Sequence, residues 1–181
     1  MTRKCILILG GARSGKSQFA QKLAGRLSER VLFVATGEAG DEEMHSRIEE
    51  HKKSRPRTWH TLESPVKVGE TIQRQIGNAD VVLVDCITML VSNLLVGEGG
   101  DKDKEGRVIT EIDQLIECID KLEVTVIIVS NEVGLGLVPE NRLGRLYRDI
   151  LGRTNQLLAQ HADEVYVMVA GIPLKVKEHK G

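Results

Sequence analysis

The sequence predicts an α/β fold, with a mostly parallel sheet that carries helices on both faces. Two observations predict it. Short apolar runs rich in β-branched residues recur along the 181 residues, as expected of strands that are buried in a parallel sheet. Between these runs, apolar residues recur at helical spacing, so strand and helix alternate along the chain. The length suffices for one hydrophobic core and is short for two, so we expect a single domain over residues 1–181.

The elements follow one another in a regular order. The predicted strands cover residues 5–9, 31–35, 81–84, 124–129 and 165–169. The helical patterns comprise Phe19, Leu23 and Leu27 after the first strand, Ile112, Leu115, Ile116 and Ile119 before the fourth, and Leu143, Leu146, Ile150, Leu157 and Leu158 before the fifth. Residues 38–65 and 97–106 are less regular; we expect both to project from the sheet, the second as a mobile loop. In open α/β sheets, ligands bind beyond the carboxyl ends of the strands.

The composition favours a small anionic ligand over a macromolecular partner. The net charge is -1 and aromatic residues make up 3% of the chain, which argues against a nucleic-acid surface. Cys5, Cys86 and Cys118 are far apart and lie in apolar or helical patterns, which predicts reduced thiols in a cytoplasmic protein. The first apolar run ends in glycines without a cleavage pattern, and no run is long enough for a bilayer. We therefore expect neither a signal peptide nor a membrane span.

A phosphate-binding loop follows the first predicted strand. Residues 10–17 read GGARSGKS, which fits the pattern G-x-x-x-x-G-K-[ST] at the junction between a strand and a helix. The predicted nucleotide-binding residues here are Gly10, Gly11, Ala12, Arg13, Ser14, Gly15, Lys16 and Ser17. Backbone amides and the helix N-terminus supply donors to phosphate, Lys16 neutralises phosphate charge, and Ser17 is placed to ligate Mg²⁺. The alternative is a glycine-rich turn that binds nothing.

Asp85 ends the apolar run 81–84. A carboxylate at the end of a buried strand is where phosphate-loop enzymes hold Mg²⁺, directly or through water, so Asp85 and Ser17 are the candidate metal ligands. The alternative is that Asp85 caps a helix that begins around residues 86–88. The two roles are compatible.

Several longer strings extend beyond these motifs. They are DEEMHSRIEEHKKSRP at 41–56, VDCITMLVSNLL at 84–95, SNEVGLGLVPENRLGRLYRDILGRTNQLLA at 130–159 and ADEVYVMVAGIPLKVK at 162–177. With GGARSGKS, they resemble the bifunctional adenosylcobinamide kinase/adenosylcobinamide-phosphate guanylyltransferase family of cobalamin biosynthesis. The resemblance runs nearly end to end, and the NEVG–PENR segment is more specific than the phosphate loop.

The resemblance implies a RecA-like P-loop NTPase fold, a homotrimer and two reactions. In the first, ATP or GTP phosphorylates the aminopropanol hydroxyl of adenosylcobinamide. In the second, GMP passes from GTP to a histidine with release of pyrophosphate, and then to adenosylcobinamide phosphate, giving adenosylcobinamide-GDP. The implied partners are therefore small molecules, with Mg²⁺ accompanying GTP or ATP.

His51 is the histidine that the resemblance identifies as the catalytic nucleophile, with Lys16 as the second catalytic residue. The family pattern R-I-x-x-H falls on Arg47, Ile48 and His51, and a neutral imidazole nitrogen can attack an α-phosphate. Where some members carry two adjacent histidines, this chain has Glu50 before His51. The plainer interpretation of His51 is a solvated side chain on a charged helix. The fallback candidates are His45 and His60, whereas His161 and His179 have no assigned role.

The resemblance also assigns further nucleotide contacts. They are Ala35, Thr36 and Gly37 after the second strand, Lys52, Lys53, Ser54 and Arg55 after the histidine, and Glu63 and Asp85. The basic run is suited to departing pyrophosphate and Glu63 to the hydrogen-bond donors of guanine. The basic run is equally consistent with a solvated helix end. Residues 130–132 follow the fourth strand, where Glu132 is a candidate base toward the acceptor hydroxyl; these polar residues are equally typical of a stabilised turn.

Three other functions share the phosphate loop. A GTP-hydrolysing switch protein is disfavoured because the chain has no N-K-x-D string and no D-x-x-G after the second strand. A simple metabolite kinase would use the same loop and leave His51 without a role. A non-catalytic ATP-binding subunit or motor module would hold nucleotide without phosphorylating a small acceptor.

Overall fold

The structure is a computed structural model that describes residues 3–37, 56, 58–96 and 100–178. In chain order, its helices and strands are β1 (Cys5–Gly10), α1 (Lys16–Leu27), β2 (Val31–Ala35), β3 (His60–Glu63), α2 (Val68–Gln75), β4 (Val81–Asp85), α3 (Ile87–Leu95), α4 (Asp101–Lys121), β5 (Thr125–Val129), α5 (Arg142–His161), β6 (Glu164–Val169) and β7 (Ile172–Lys177). The five strands predicted from apolar runs are all present.

The strands form one sheet in the order β3-β2-β4-β5-β1-β6-β7. Every neighbouring pair is parallel except β6 and β7. Ala35 pairs with Asp85, and Asp85 pairs with Val129, so β2, β4 and β5 end side by side. β1 lies next to β5 and carries the phosphate-loop sequence at the same edge. The predicted α/β fold with a mostly parallel sheet is therefore confirmed.

Successive side chains of each strand point to opposite faces of the sheet and pack into two apolar cores, one on each face. Leu7 belongs to the core beneath α2, α3, α4 and α5, whereas Ile8 belongs to the core beneath α1. On the α1 side, Ala20 and Ala24 let the helix approach the sheet, and Trp59 stacks on Phe33. Helices thus cover both faces of the sheet, as the buried apolar strands require.

The two edge strands were not predicted from the sequence, and the expectation that residues 38–65 project from the sheet is wrong for residues 60–63, which form β3. In β3 only Leu62 is buried, and β7 is almost wholly exposed, so neither strand has the continuous apolar run of an inner strand. The prediction of a mobile loop over 97–106 is wrong for residues 101–106, which form the first turns of α4. Asp101 and Asp103 favour the helix N-terminus, and the amide of Gly100 donates to the Asp103 carboxylate at 3.2 Å. Residues 38–55 and 97–99 lie outside the described residues.

Cys5 and Cys118 are buried, Cys86 is partly buried, and all three are free thiols. Among the described helices, none has the length and hydropathy needed to cross a membrane.

A buried carboxylate joins β1, β6 and β7 at the amino end of the sheet. Glu164 receives hydrogen bonds from Lys4 at 2.6 Å and from Tyr166 at 2.9 Å, and Lys175 lies 3.2 Å from it. Burial alone would raise the pKa of Glu164, but these donors outweigh it and hold the pKa at about 2. The ionised carboxylate therefore stabilises the contact between the first strand and the carboxyl-terminal hairpin.

The depressed pKa of Glu164 predicts a pH-dependent stability. Because the pKa is lower in the folded chain than in the unfolded chain, the contribution is complete above about pH 4.5 and is lost as the pH falls toward 2. We expect Glu164→Gln to lower the free energy of unfolding by about 2 kcal/mol at pH 7, a value reduced for the partial exposure of the lysines. Urea denaturation of both proteins between pH 7 and pH 3 should show the difference shrinking, and a constant difference would contradict the assignment.

Candidate nucleotide-binding site

The phosphate loop connects the end of β1 to the start of α1. Gly15, the residue before α1, has a φ of 91° in the left-handed region, which favours glycine. The amide of Ser14 donates to Gly11 O at 3.3 Å, and the amide of Phe19 donates to Gly15 O at 2.9 Å. The first amides of an α-helix have no acceptor within the helix, and such amides bind phosphate.

The hairpin of β6 and β7 packs against this loop. A Cβ atom on Gly10 would lie 2.7 Å from Ser14 Oγ and 2.8 Å from Met168 O, so only glycine fits at this position. The amide of Gly171, in the β6–β7 turn, donates to Ser14 O at 3.0 Å. The phosphate loop is therefore held against β6 by close backbone contacts.

Lys16 is buried, with 7% of its surface exposed, and its Nζ atom donates to Gly11 O at 2.6 Å. Burial lowers the pKa of Lys16 below its ordinary value, and the negative charge of nearby Asp85 opposes this effect. Gly11 O is the one hydrogen-bond acceptor of Lys16 among the described residues. Phosphate oxygens are the groups that would compensate the ammonium group for its loss of hydration.

Ser17 and Asp85 meet at the carboxyl edge of the sheet. Ser17 Oγ donates to Asp85 Oδ1 at 3.3 Å, across 68 residues of sequence. Both are hard oxygen donors of the kind that Mg²⁺ prefers, so the pair fits that ion. The residue that caps α3 is Cys86, so the alternative role for Asp85 as the helix cap is wrong. Burial raises the pKa of Cys86 to about 11, which leaves a neutral thiol beside the carboxylate at pH 7.

Thr36 joins the ends of β2 and β4. Its hydroxyl donates to Cys86 O at 2.6 Å and accepts from the amide of Cys86 at 2.9 Å. Asn93, in α3, donates to Thr36 O at 2.8 Å and to Pro65 O at 3.0 Å. The Thr36 side chain therefore fixes the residue next to Asp85, a role that the sequence did not reveal.

The predicted nucleotide contacts lie along one edge of the sheet. The phosphate loop follows β1, Asp85 ends β4, Ala35 ends β2 with Thr36 and Gly37 after it, and Glu63 ends β3. From β1 to β3 the order is β1, β5, β4, β2, β3, which at about 4.8 Å a step spans about 19 Å. An extended nucleoside triphosphate has a similar length, so phosphates at β1 and a base at Glu63 are compatible.

The described residues include only two of the histidines considered above. His60 begins β3 and pairs with Leu32, so it lies toward the amino ends of the strands, away from Asp85. His161 ends α5, and its Nε2 atom lies 3.4 Å from Asp120 Oδ1, also at the amino end of the sheet. Neither histidine is near the phosphate loop. His51, the basic run of Lys52, Lys53, Ser54 and Arg55, and the fallback His45 all lie outside the described residues.

A polar network holds the segment that follows β5. Ser130 Oγ donates to Asn155 Oδ1 at 2.7 Å, and Asn155 Nδ2 donates to Asn131 O at 2.9 Å. The amide of Asn131 donates to the hydroxyl of Thr88 at 2.8 Å. The next residue, Glu132, contacts the phosphate loop, because its amide donates to Gly10 O at 3.0 Å. The carboxylate of Glu132 accepts from the amide of Gly134 at 2.7 Å, a contact that stabilises the turn.

A phosphate loop after the first strand, with an aspartate at the end of an inner strand two positions away in the sheet, defines a P-loop nucleotide-utilising protein. Comparison with known proteins narrows the class. The model of the family described as cobinamide kinase / cobinamide phosphate guanyltransferase matches residues 6–176, so the chain belongs to that family.

Curated relatives agree with the family match. The bifunctional adenosylcobalamin biosynthesis protein CobU of Escherichia coli is 46% identical over 180 residues, covering 95% of this chain and 99% of that protein. CobU of Salmonella typhimurium is 44% identical over 180 residues, with the same coverage. The bifunctional protein CobP of Pseudomonas aeruginosa is 42% identical over 171 residues, covering 94% of this chain and 96% of that protein.

Proposed function

We propose that this chain uses one nucleotide-binding edge for two reactions on a cobinamide acceptor, first as a kinase and then as a guanylyltransferase. It is an enzyme of adenosylcobalamin biosynthesis, as its family membership indicates. The observation that carries the proposal is the alignment of the phosphate loop, Asp85 and Glu63 along a single edge of the sheet. One domain over residues 1–181 then carries both activities.

In the kinase reaction, the aminopropanol hydroxyl of adenosylcobinamide attacks the γ-phosphate of ATP or GTP. The bond to the nucleoside diphosphate breaks, and the acceptor becomes a phosphate ester. Lys16 and the loop amides stabilise the charge that spreads over the phosphate oxygens. Glu132, whose backbone contacts Gly10, is the candidate to accept the hydroxyl proton.

In the transferase reaction, His51 attacks the α-phosphate of GTP and pyrophosphate leaves. A phosphate oxygen of adenosylcobinamide phosphate then attacks the same phosphorus, the bond to His51 breaks, and adenosylcobinamide-GDP forms. The basic residues that follow His51 are suited to stabilising pyrophosphate, and Glu63 to accepting hydrogen bonds from guanine. The family resemblance further supports a homotrimer, which the molar mass in solution tests.

We propose Mg²⁺ as the metal at Ser17 and Asp85, because these two oxygen donors meet at the phosphate loop. The bound ion would neutralise part of the phosphate charge. Asp85→Asn removes the anionic donor, so we expect the Mg²⁺ concentration for half-maximal activity to rise about tenfold or more. The control is Asp113→Asn, on the exposed face of α4, which should leave that concentration unchanged. An unchanged Mg²⁺ requirement in Asp85→Asn would contradict the assignment.

A two-stage assay tests the function itself. Purified protein is incubated with cobinamide and γ-labelled ATP, and then, after removal of ATP, with α-labelled GTP. We expect label in cobinamide phosphate after the first stage and in a guanylylated cobinamide after the second. Label in the first product alone would support a metabolite kinase without transferase activity, and label in neither would support a nucleotide-binding subunit.

A further inference from the structure

Four exposed aliphatic side chains follow β5 and have no role in the site described above. They are Leu135, Leu137 and Val138, which follow β5, and Leu143 in the first turn of α5. Leu137 is 97% exposed and Leu135 is 89% exposed, and the other two are more than half exposed. Single exposed aliphatic residues are ordinary, whereas several exposed apolar residues together mark binding surfaces. We refer to these four residues as the leucine surface.

The segment that carries the leucine surface is held in shape at both ends. At its start, the amide of Glu132 is bonded to Gly10 O and the carboxylate of Glu132 to the amide of Gly134. At its end, Asn141 Oδ1 accepts from the amide of Gly144 at 2.6 Å, and Arg145 donates to Pro139 O at 3.0 Å. A ligand that covers these side chains therefore meets a segment that is already ordered, which lowers the entropic cost of binding.

The segment that carries the leucine surface follows the strand nearest to the phosphate end of the predicted nucleotide site. β5 lies between β4, which ends in Asp85, and β1, which leads into the phosphate loop. The predicted nucleotide runs from β1 toward Glu63 on β3, so its base is at the far side of the sheet. The segment after β5 is then next to the phosphates, where an acceptor hydroxyl must approach.

We propose that the leucine surface binds the corrin macrocycle of the acceptor, an inference that rests on the proposed function. A corrin ring is a broad group whose periphery carries methyl groups as well as amide side chains, and its apolar part suits exposed leucine side chains. Docking there places the aminopropanol arm of the acceptor near Lys16 and Ser17. The leucine surface thus supplies affinity for the corrinoid, and the phosphate loop supplies the chemistry.

The test compares Leu137→Ser and the double variant Leu135→Ser/Leu137→Ser with wild type. The control is Val176→Ser, which removes a 62% exposed aliphatic side chain from the far end of β7. Kinase assays give KM for cobinamide and for ATP, equilibrium dialysis gives Kd for cobinamide, and light scattering gives the molar mass. We expect the cobinamide KM and Kd to rise about tenfold in Leu137→Ser and further in the double variant. KM for ATP and the molar mass should stay as in wild type, and Val176→Ser should match wild type throughout.

Two results would overturn this inference while leaving the proposed function intact. One is an unchanged cobinamide KM and Kd in the double variant. The other is a changed molar mass, which would show that a second copy of the chain covers the leucine surface. Failure of wild type to phosphorylate cobinamide would instead remove the proposed function, and the dialysis of the same variants would still decide whether the leucine surface binds the corrinoid.

Discussion

Replacement of Lys16 by methionine is expected to lower kcat/KM of both reactions by about 10²- to 10³-fold, the usual effect of removing one donor to a developing phosphate charge. Lys16 is buried in the phosphate loop, and its ammonium group contacts only Gly11 O among the hydrogen bonds found in the described part of the chain. Methionine has a similar length and no charge, so it fills the site without supplying the donor. Steady-state kinetics of the kinase and transferase reactions measure the effect.

The matched control is Lys22→Met. Lys22 lies on the same helix but on its exposed face, so its loss should change neither reaction. Thermal unfolding should show both variants folded, because methionine avoids the cost of burying an ammonium group. Transferase activity that persists at the wild-type level in Lys16→Met would show that guanylyl transfer does not use the phosphate loop, and the single-edge proposal would fail.

His51→Ala is expected to reduce guanylyl transfer to background while the kinase reaction stays within about twofold of wild type. The reason is chemical: only the transferase passes through a bond between phosphorus and nitrogen, so only it loses its nucleophile. Kinase and transferase assays with GTP labelled separately at the α- and γ-phosphates measure the two activities in one preparation.

Two histidine controls make the result specific. His45→Ala removes an imidazole six positions earlier in the sequence, and His60→Ala removes one that begins β3, at the amino end of the sheet. Both variants should retain both activities. Loss of transferase activity in His45→Ala with its retention in His51→Ala would move the nucleophile to His45. Retention of transferase activity in all three variants would contradict a GMP-histidine intermediate at any of these positions.

The inner strands were predictable because a strand that is buried on both faces has an almost continuous apolar sequence. The strands at 5–9, 31–35, 81–84 and 165–169 are apolar throughout, and the strand at 124–129 has a single threonine among apolar residues. The edge strands β3 and β7 have exposed faces and mixed sequences. β7 contains Pro173, Lys175 and Lys177 and is followed by Glu178, so its sequence resembles a solvated tail. The start of α4 was missed because glycines and charges at 97–106 are typical of both a loop and a capped helix end.

The site was predictable where chemistry depends on local spacing. The phosphate loop is one contiguous string, and Asp85 follows a strand whose end could be read directly. The support of the site was not predictable, because Thr36, Thr88 and Asn155 act through partners 24 to 57 residues away. Such residues have no characteristic spacing, and the polar contacts appear only when the strand ends are brought together.

The most direct test of the two-reaction account is to ask which phosphate of GTP remains on the protein. Purified wild type is incubated with Mg²⁺ and GTP labelled separately at the α- and γ-phosphates, without acceptor, and the protein is then treated with acid or base. The account predicts retention of the α label alone, labile in acid, stable in base and absent from His51→Ala. Retention of neither label on the wild-type protein would contradict the GMP-histidine intermediate and leave a metabolite kinase as the better description.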